Sequence, residues 1–411
     1  MIRKITLIFC LVFFSMTLMA CANRKIDSKA VRQPDVKAAV QTGIDRIDEY
    51  IELFKDKKVG LITNATGINS EYIDTGLILA QKTNLKAIFS PEHGYLGQVT
   101  AGKDVGTYYD NRLGVEVYSL YGATKKPTAA MLKDIDVLVF DIQDIGVRNY
   151  TYIYTMAYAM QAAAENGKKF IVLDRPNPLG GKMEGPVLKK GFESFVGLYP
   201  IPYRHGLTVG EAARLFNKEF GINADLTVIP LKGWTRDMYF EDTNLPWVMT
   251  SPNIPTLDSV MGYAMTGFYT GIKASNGVGT TRPFEFVGAE WMSSDWLVGV
   301  LENADMPGVK FRPTAFLPMF GAFSGKTCYG VQIHFVDKKK INAVETGAFI
   351  YYIVRQMAKV EKVNPNQNPR IDKNLGENSL WDGEPIEEVF KRWKNECESF
   401  AKLAEPYLLY K

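Results

Sequence analysis

A chain of 411 residues with 46% hydrophobic residues is longer than one average domain and apolar enough for large cores. Its formal net charge of +3, with both signs interspersed among 23% charged residues, leaves no basic footprint for a nucleic-acid partner. Its four cysteines, Cys10, Cys21, Cys328 and Cys397, form neither a disulfide framework nor a metal-type spacing.

In chain order, MIRK supplies a positive start, ITLIFCLVFFSMTLMA an apolar run, and Cys21 follows Leu18-Met19-Ala20. This reads as a removable signal peptide over residues 1–21. With Ala20 directly before Cys21, it resembles the lipobox of bacterial lipoproteins, which predicts a lipidated Cys21 and an exported, membrane-anchored protein facing the periplasm or the cell surface. Residues 22–40 read as a polar linker. No later apolar run is long enough to span a bilayer.

Between residues 58 and 230 one pattern recurs. KKVGLITN, LKAIFSPEH, IDVLVFDIQD, KKFIVLDRPN and DLTVIPLKGW are short continuous apolar runs that end in polar residues. Helical patterns such as YIDTGLILAQ, YIYTMAYAMQAAAENG and TVGEAARLFNKEFG lie between several of them. Strands alternating with helices predict a parallel sheet buried on both faces, an α/β fold of Rossmann-like type. Turn-rich stretches near 245–256 and 363–374 are the clearest breaks, and two domains are expected.

In open parallel sheets ligands bind beyond the carboxyl ends of the strands. That rule gathers Asn64, Glu92, His93, Asp141, Gln143, Asp144, Asp174, Arg175 and Asn177 at one rim. Several chemistries lack support there. No GxSxG elbow occurs, and His93, His205 and His334 are widely separated with no HExxH. GAFSGKT is one residue short of a phosphate loop, and TNATG rather than GxGxxG follows the first strand, so neither a cofactor nor a metal is expected. Carboxylates, amides, arginines and aromatic residues remain, the inventory of a glycosidase cleft. Glu92, between Pro91 and Gly94 at a strand mouth, is the candidate acid, and His93 is placed to hydrogen-bond substrate or to orient it.

The strings TNATG, SPEHGYLGQVTAG, VYSLYGATKKPT, LVFDIQDIGVRNYTYIYTM, VLDRPNPLGG, EGPVL, SFVGLYPIPYRHGLTVGE, GWTRDM, LPWVMTSPNIPT, GTTRPFE and YLLY, in this order, closely resemble the exo-β-N-acetylmuramidases, bacterial glycoside hydrolases. The resemblance covers essentially the whole chain after the signal. It implies release of terminal N-acetylmuramic acid from the non-reducing ends of peptidoglycan fragments. It also implies a Rossmann-like catalytic domain over 41–255, a smaller auxiliary α/β domain over 256–411, and a cleft between them. The family's proposed catalytic glutamate, in PEHG, falls on Glu92.

A muramyl substrate carries a lactyl carboxylate, for which a guanidinium offers a planar fork. Candidates are Arg148, Arg175, Arg204, Arg236 and Arg282, and the matching strings add Asn64, Gln143, Tyr152, Asp174, Asn177, His205 and Asn253 to the expected substrate contacts. One stretch departs from the family. Where relatives commonly read FEGTNVSxGRGT, this chain reads FYTGIKASNGVGT, with Thr270 at a carboxylate position and Val278 at an arginine position. The second catalytic group then falls to Asp141, Asp144 or Asp174, unless the substrate's acetamide supplies the nucleophile. A non-catalytic, glycan-binding cell-wall lipoprotein is the rival reading. An esterase or deacetylase is disfavoured by the missing elbow and metal cluster. The sequence itself sets no oligomeric state.

Overall fold

The computed structural model of the protein describes residues 40–411 except 101, 104, 105, 270, 271, 305 and 359–369. Cys21, Thr270 and almost all of the linker lie outside the described residues. Val40 is inside them and is buried against Leu231 and Trp234.

Seven strands form the main sheet: β1 (Lys58–Thr63), β2 (Asn84–Ser90), β3 (Tyr108–Asp110), β4 (Val115–Ser119), β5 (Val137–Asp141), β6 (Lys169–Leu173) and β9 (Asp225–Ile229). Their order is β3-β4-β2-β1-β5-β6-β9. All pair in parallel except β3, which caps the edge antiparallel to β4. Counting only the parallel strands, this is the doubly wound order 3-2-1-4-5-6, whose switch point lies between β1 and β5. The apolar-run reading had five of these strands and missed β4. VEVYS is short and alternates, with Glu116 exposed between two buried valines, so it carries no continuous run.

Burial on both faces explains why the other runs are continuous. On β5, Leu138 and Phe140 enter one core, and Val137 and Val139 enter the other. Three helices follow the strands. In α1 (Thr75–Lys82) the first turn is capped by the Asp74 side chain. In α2 (Tyr152–Glu165) Ala157, Ala159, Ala162 and Ala163 are all buried, small side chains that let the helix lie close to its neighbours. A Thr208–Glu211 capping box starts α3 (Val209–Glu219), satisfying amide donors that a helix start otherwise leaves open.

The first core cluster runs on into the second half of the chain, through Met261, Val287, Val331 and Val344. That half holds an antiparallel sheet of β10 (Phe286–Ala289), β12 (Cys328–Phe335) and β11 (Val309–Phe316), in this order. Around it lie α4 (Leu257–Thr266), α5 (Ser294–Glu302), α6 (Ala343–Met357) and α7 (Ile386–Ala404). A ribbon of β7 (Glu184–Val187) and β8 (Pro202–Arg204) from the first half receives α7. Among the described residues no helix is long and apolar enough to cross a membrane.

Helices α4 and α6 meet where Gly347 abuts Met265, and a Cβ at 347 would fall 1.8 Å from the Met265 carbonyl oxygen. Backbone cannot yield as a side-chain tip does. Gly347→Ala is therefore expected to lower the unfolding free energy by at least about 1–3 kcal/mol, the scale of overpacking, in urea denaturation. Gly299→Ala on α5, where a Cβ meets nothing within 4 Å, serves as the control. It should be neutral or stabilising by up to about 1 kcal/mol, because alanine is the better helix former.

Candidate active site

Strand β2 leaves the core at Ser90, and the chain turns at once. His93 takes a φ of 73° and Gly94 one of 78°. A left-handed backbone is unusual for a residue with a side chain, and something must hold it. The imidazole does so, because His93 Nδ1 lies 2.8 Å from the carbonyl of Val99 and Val99 N–H donates back to the His93 carbonyl at 3.2 Å. His93 is 6% exposed. Its Nδ1 side thus closes its own loop, and the hydrogen bonds that reach Glu92 come from other residues.

With the corner fixed, Glu92 is left partly buried and held by groups from two segments. Gly102 N–H donates to Oε1 at 3.1 Å, and the Thr151 hydroxyl donates to Oε2 at 3.1 Å. Tyr121 follows β4, and its phenol lies close to Glu92. Burial, then the Glu92 charge, pushes that phenol up to about 12, so it stays a donor. Thr151 is the N-cap of α2, so the positive end of that helix faces the carboxyl group. Tyr263 of α4 completes the surroundings. Its phenol is raised well above the ordinary range by burial first, with the tyrosines Tyr203 and Tyr150 and the carboxyl groups of Glu92 and Asp144 nearby. Tyr121, Thr151 and Tyr263 were absent from the sequence-derived set. The first two stand inside the quoted strings VYSLYG and VRNYT, whereas nothing in the sequence around Tyr263 connects α4 to β2.

The switch-point residues are arranged differently. Asp141 is fully buried in a bidentate pair with Arg175, at 2.5 Å to Nε and 2.9 Å to Nη2, and it also accepts the Thr75 hydroxyl at 2.5 Å. Asn64 accepts from the Thr66 amide and hydroxyl, and that hydroxyl accepts the amide of Gln143. Gln143 donates in turn to the carbonyls of Asp144 and Pro176. Asn177 braces the following loop through Leu207 and Leu179. These residues come together, and most of their hydrogen bonds go to one another or to nearby backbone.

Asp174 is likewise committed. It accepts from Arg175 N–H, Gly210 N–H, the Thr208 hydroxyl and the Tyr410 hydroxyl, at 2.5–2.9 Å. Burial pushes its carboxyl up to about 7 against the pull of those donors. Asp144 differs. Its Oδ2 accepts Gly146 N–H at 2.6 Å and lies 3.5 Å from His205 Nε2, while Oδ1 is buried with no hydrogen-bond partner. On α2, the hydroxyl of Tyr152 donates to the Thr250 carbonyl, and Tyr150 just before it donates to the Thr250 hydroxyl. Asn253 is partly buried on the turn that follows.

The five arginines separate by partner. Arg204 is wholly buried on Glu184, Leu179 and Tyr239. Arg236 is held by Glu211 and the Gly206 carbonyl. Arg148 is wholly buried beneath Leu375 and Gly376, and burial lowers its pKa. With Arg175 paired to Asp141, three of these four are held by carboxylates of the protein, while Arg148 keeps Nε and Nη1 buried with no hydrogen-bond partner. Arg282 alone of the five keeps a half-exposed side chain, paired with Glu285 at 2.8 Å. Val278, the departing position that is described, packs partly buried beside Gly321.

Comparison with known proteins places this geometry. The family description "Exo-beta-N-acetylmuramidase NamZ, N-terminal" matches residues 59–258, and its C-terminal counterpart matches 261–410. The peptidoglycan β-N-acetylmuramidase NamZ of Bacillus subtilis (strain 168) is 46% identical over 400 residues, which are 95% of this chain and 96% of that protein. Two crystal structures of DUF1343 family proteins from Bacteroides fragilis superpose closely. One has a TM-score of 0.83 at 39% identity, covering 91% of this chain and 100% of that one. The other has a TM-score of 0.74 at 30% identity, covering 90% and 99%.

Proposed function

The chain belongs to the exo-β-N-acetylmuramidase family and is a glycoside hydrolase acting on peptidoglycan; from that premise we propose that Glu92 is its general acid and that it releases N-acetylmuramic acid from non-reducing ends. The observation that carries the assignment is the corner itself. A carboxyl group at the carboxyl end of β2 is held by Gly102 and Thr151 at the N-terminus of α2, with Tyr121 close by and Tyr263 approaching from the second half. Those groups fix its orientation, and positioning is what proton transfer to a leaving oxygen requires first. A non-catalytic glycan-binding protein is not favoured beside a close relative named as the enzyme.

Recognition of the lactyl carboxylate is best assigned to Arg282. Its loop reaches the site through Phe284, whose ring meets Tyr263 edge-on at 4.8 Å, and its guanidinium is the accessible one. The partner Glu285 holds the cation in place, and its own carboxyl is raised by burial. Membrane attachment through a lipidated Cys21 is proposed on the lipobox-like Leu18 to Cys21.

Three outcomes are expected. Glu92→Gln should keep the fold and much of the ligand affinity while losing turnover by about 10²–10⁴-fold on muraminides with poor leaving groups, and by less on activated aryl muraminides. Near-normal turnover on both would make PEHG a structural corner. Arg282→Ala should lower kcat/KM on an aryl N-acetylmuraminide by about 10–10²-fold, the worth of a charge-assisted hydrogen bond, and leave the slower N-acetylglucosaminide rate unchanged. Equal losses on the two sugars would remove the carboxylate contact. Cys21→Ser should release the protein from the membrane fraction or trap it as unprocessed precursor, and unchanged fractionation would end the anchor assignment.

A further inference from the structure

Two neighbouring polar side chains beneath the rim are left with unused hydrogen-bonding atoms. Asp144 is 4% exposed, and its Oδ1 accepts nothing from the protein, whereas Asp141 and Asp174 have both oxygens filled. His205 is 1% exposed. Leu207 N–H donates to its Nδ1 at 3.2 Å, so the ring proton sits on Nε2. Nε2 is 3.5 Å from Asp144 Oδ2, too far for a hydrogen bond, and has no other acceptor. Folded proteins rarely leave a buried polar atom without a partner unless something uses it.

The surroundings narrow that use. Glu92 follows β2 and Asp144 follows β5, the two strands that flank β1, so both stand at the carboxyl edge of the sheet, and Tyr150, on the stretch from Asp144 to Thr151, packs edge-on against Tyr263 at 5.7 Å. Tyr150 packs edge-on against both Tyr152, at 5.0 Å, and Tyr263, so the stretch that leads from Asp144 to Thr151 carries an aromatic cluster. An oxygen this deeply set is badly placed to attack the anomeric carbon of a bulky ring. It suits a small N–H donor whose attached methyl group lies against aromatic walls.

We propose that Asp144 is the second carboxylate of the reaction and that its free oxygen receives the N–H of the substrate's 2-acetamido group, making the acetamide oxygen the nucleophile. This rests on the glycosidase reading with Glu92 as acid. The acetamide oxygen bonds to the anomeric carbon as the bond to the leaving oxygen breaks, and the leaving oxygen takes the proton of Glu92. The cationic oxazolinium ring keeps its N–H on Asp144, whose charge offsets it. Water then adds at the anomeric carbon, its proton goes to Glu92, and the bond to the acetamide oxygen breaks. The sum is hydrolysis with retained configuration.

The test uses the full chain and aryl muraminides carrying N-acetyl, N-difluoroacetyl and N-trifluoroacetyl groups, with the first-formed anomer read by NMR. Wild-type kcat/KM should fall by about 10²-fold or more along the series, because fluorine weakens the acetamide oxygen as a nucleophile, and the first product should be the β-anomer. Asp144→Asn should keep the thermal midpoint and KM while lowering kcat by about 10²–10³-fold, as when one preorganised electrostatic group is removed. Glu92→Gln on the same aryl substrates should retain the steep dependence on fluorine, so failure of the acid assignment would be seen separately. Rates indifferent to fluorine, an α-anomer first, or a near-wild-type kcat in Asp144→Asn would each overturn the proposal. Should Asp144→Asn fail to fold, the fluorine series and the anomer decide it on the wild type.

Discussion

The buried Asp141–Arg175 ion pair is the constraint on which the arrangement of this protein depends. A doubly wound sheet ordinarily offers its ligand crevice at the switch point, here between β1 and β5. In this chain that place is filled from within. Arg175 reaches back from the end of β6 to grip Asp141, Thr75 closes the second oxygen, and Thr63 donates to the Asp141 carbonyl at 2.7 Å. What remains is a cavity of about 10 Å³ lined by Thr66, Gln143 and Trp247 among others, the space of about one water molecule. Breaking such a pair would leave an uncompensated charge in the core, at a cost of about 3–5 kcal/mol, so the closure is firm.

With the switch point closed, the proposed chemistry lies to one side, at the end of β2 and the start of α2. Two devices make that position usable. The His93 corner turns the chain so that Glu92 faces away from the sheet, and the α2 N-cap supplies Thr151 on its other side. The second half of the chain takes part, since Tyr263 comes from α4. Its attachment is tight at the far end as well. Tyr410 donates to Asp174 while accepting Leu231 N–H, and Lys411 accepts Arg236 N–H. The terminal YLLY string is therefore a clasp that ties the last residues to the end of β6.

The sequence by itself determined the α/β class, because strands buried on both faces must be continuous apolar runs, and it placed Glu92 at a strand mouth because Pro91 and Gly94 stop the strand there. It also gathered the rim residues correctly, since the carboxyl ends of parallel strands share one edge. Only the tertiary structure decided which of them remain available. Whether an aspartate is a structural anchor or a free acceptor depends on what reaches it from elsewhere: Arg175 lies 34 positions beyond Asp141, and Tyr410 lies 236 beyond Asp174. Asp144 looks no different in sequence and is distinguished solely by the donor that does not arrive at Oδ1. Three arginines that read as carboxylate receptors, Arg175, Arg204 and Arg236, are paired with carboxylates of the protein for the same reason, and Tyr263 was invisible because its approach to Glu92 exists only once α4 is packed. Local pattern is set by burial on a face, which sequence periodicity records, whereas hydrogen-bond occupancy is set by long-range partners, which it does not.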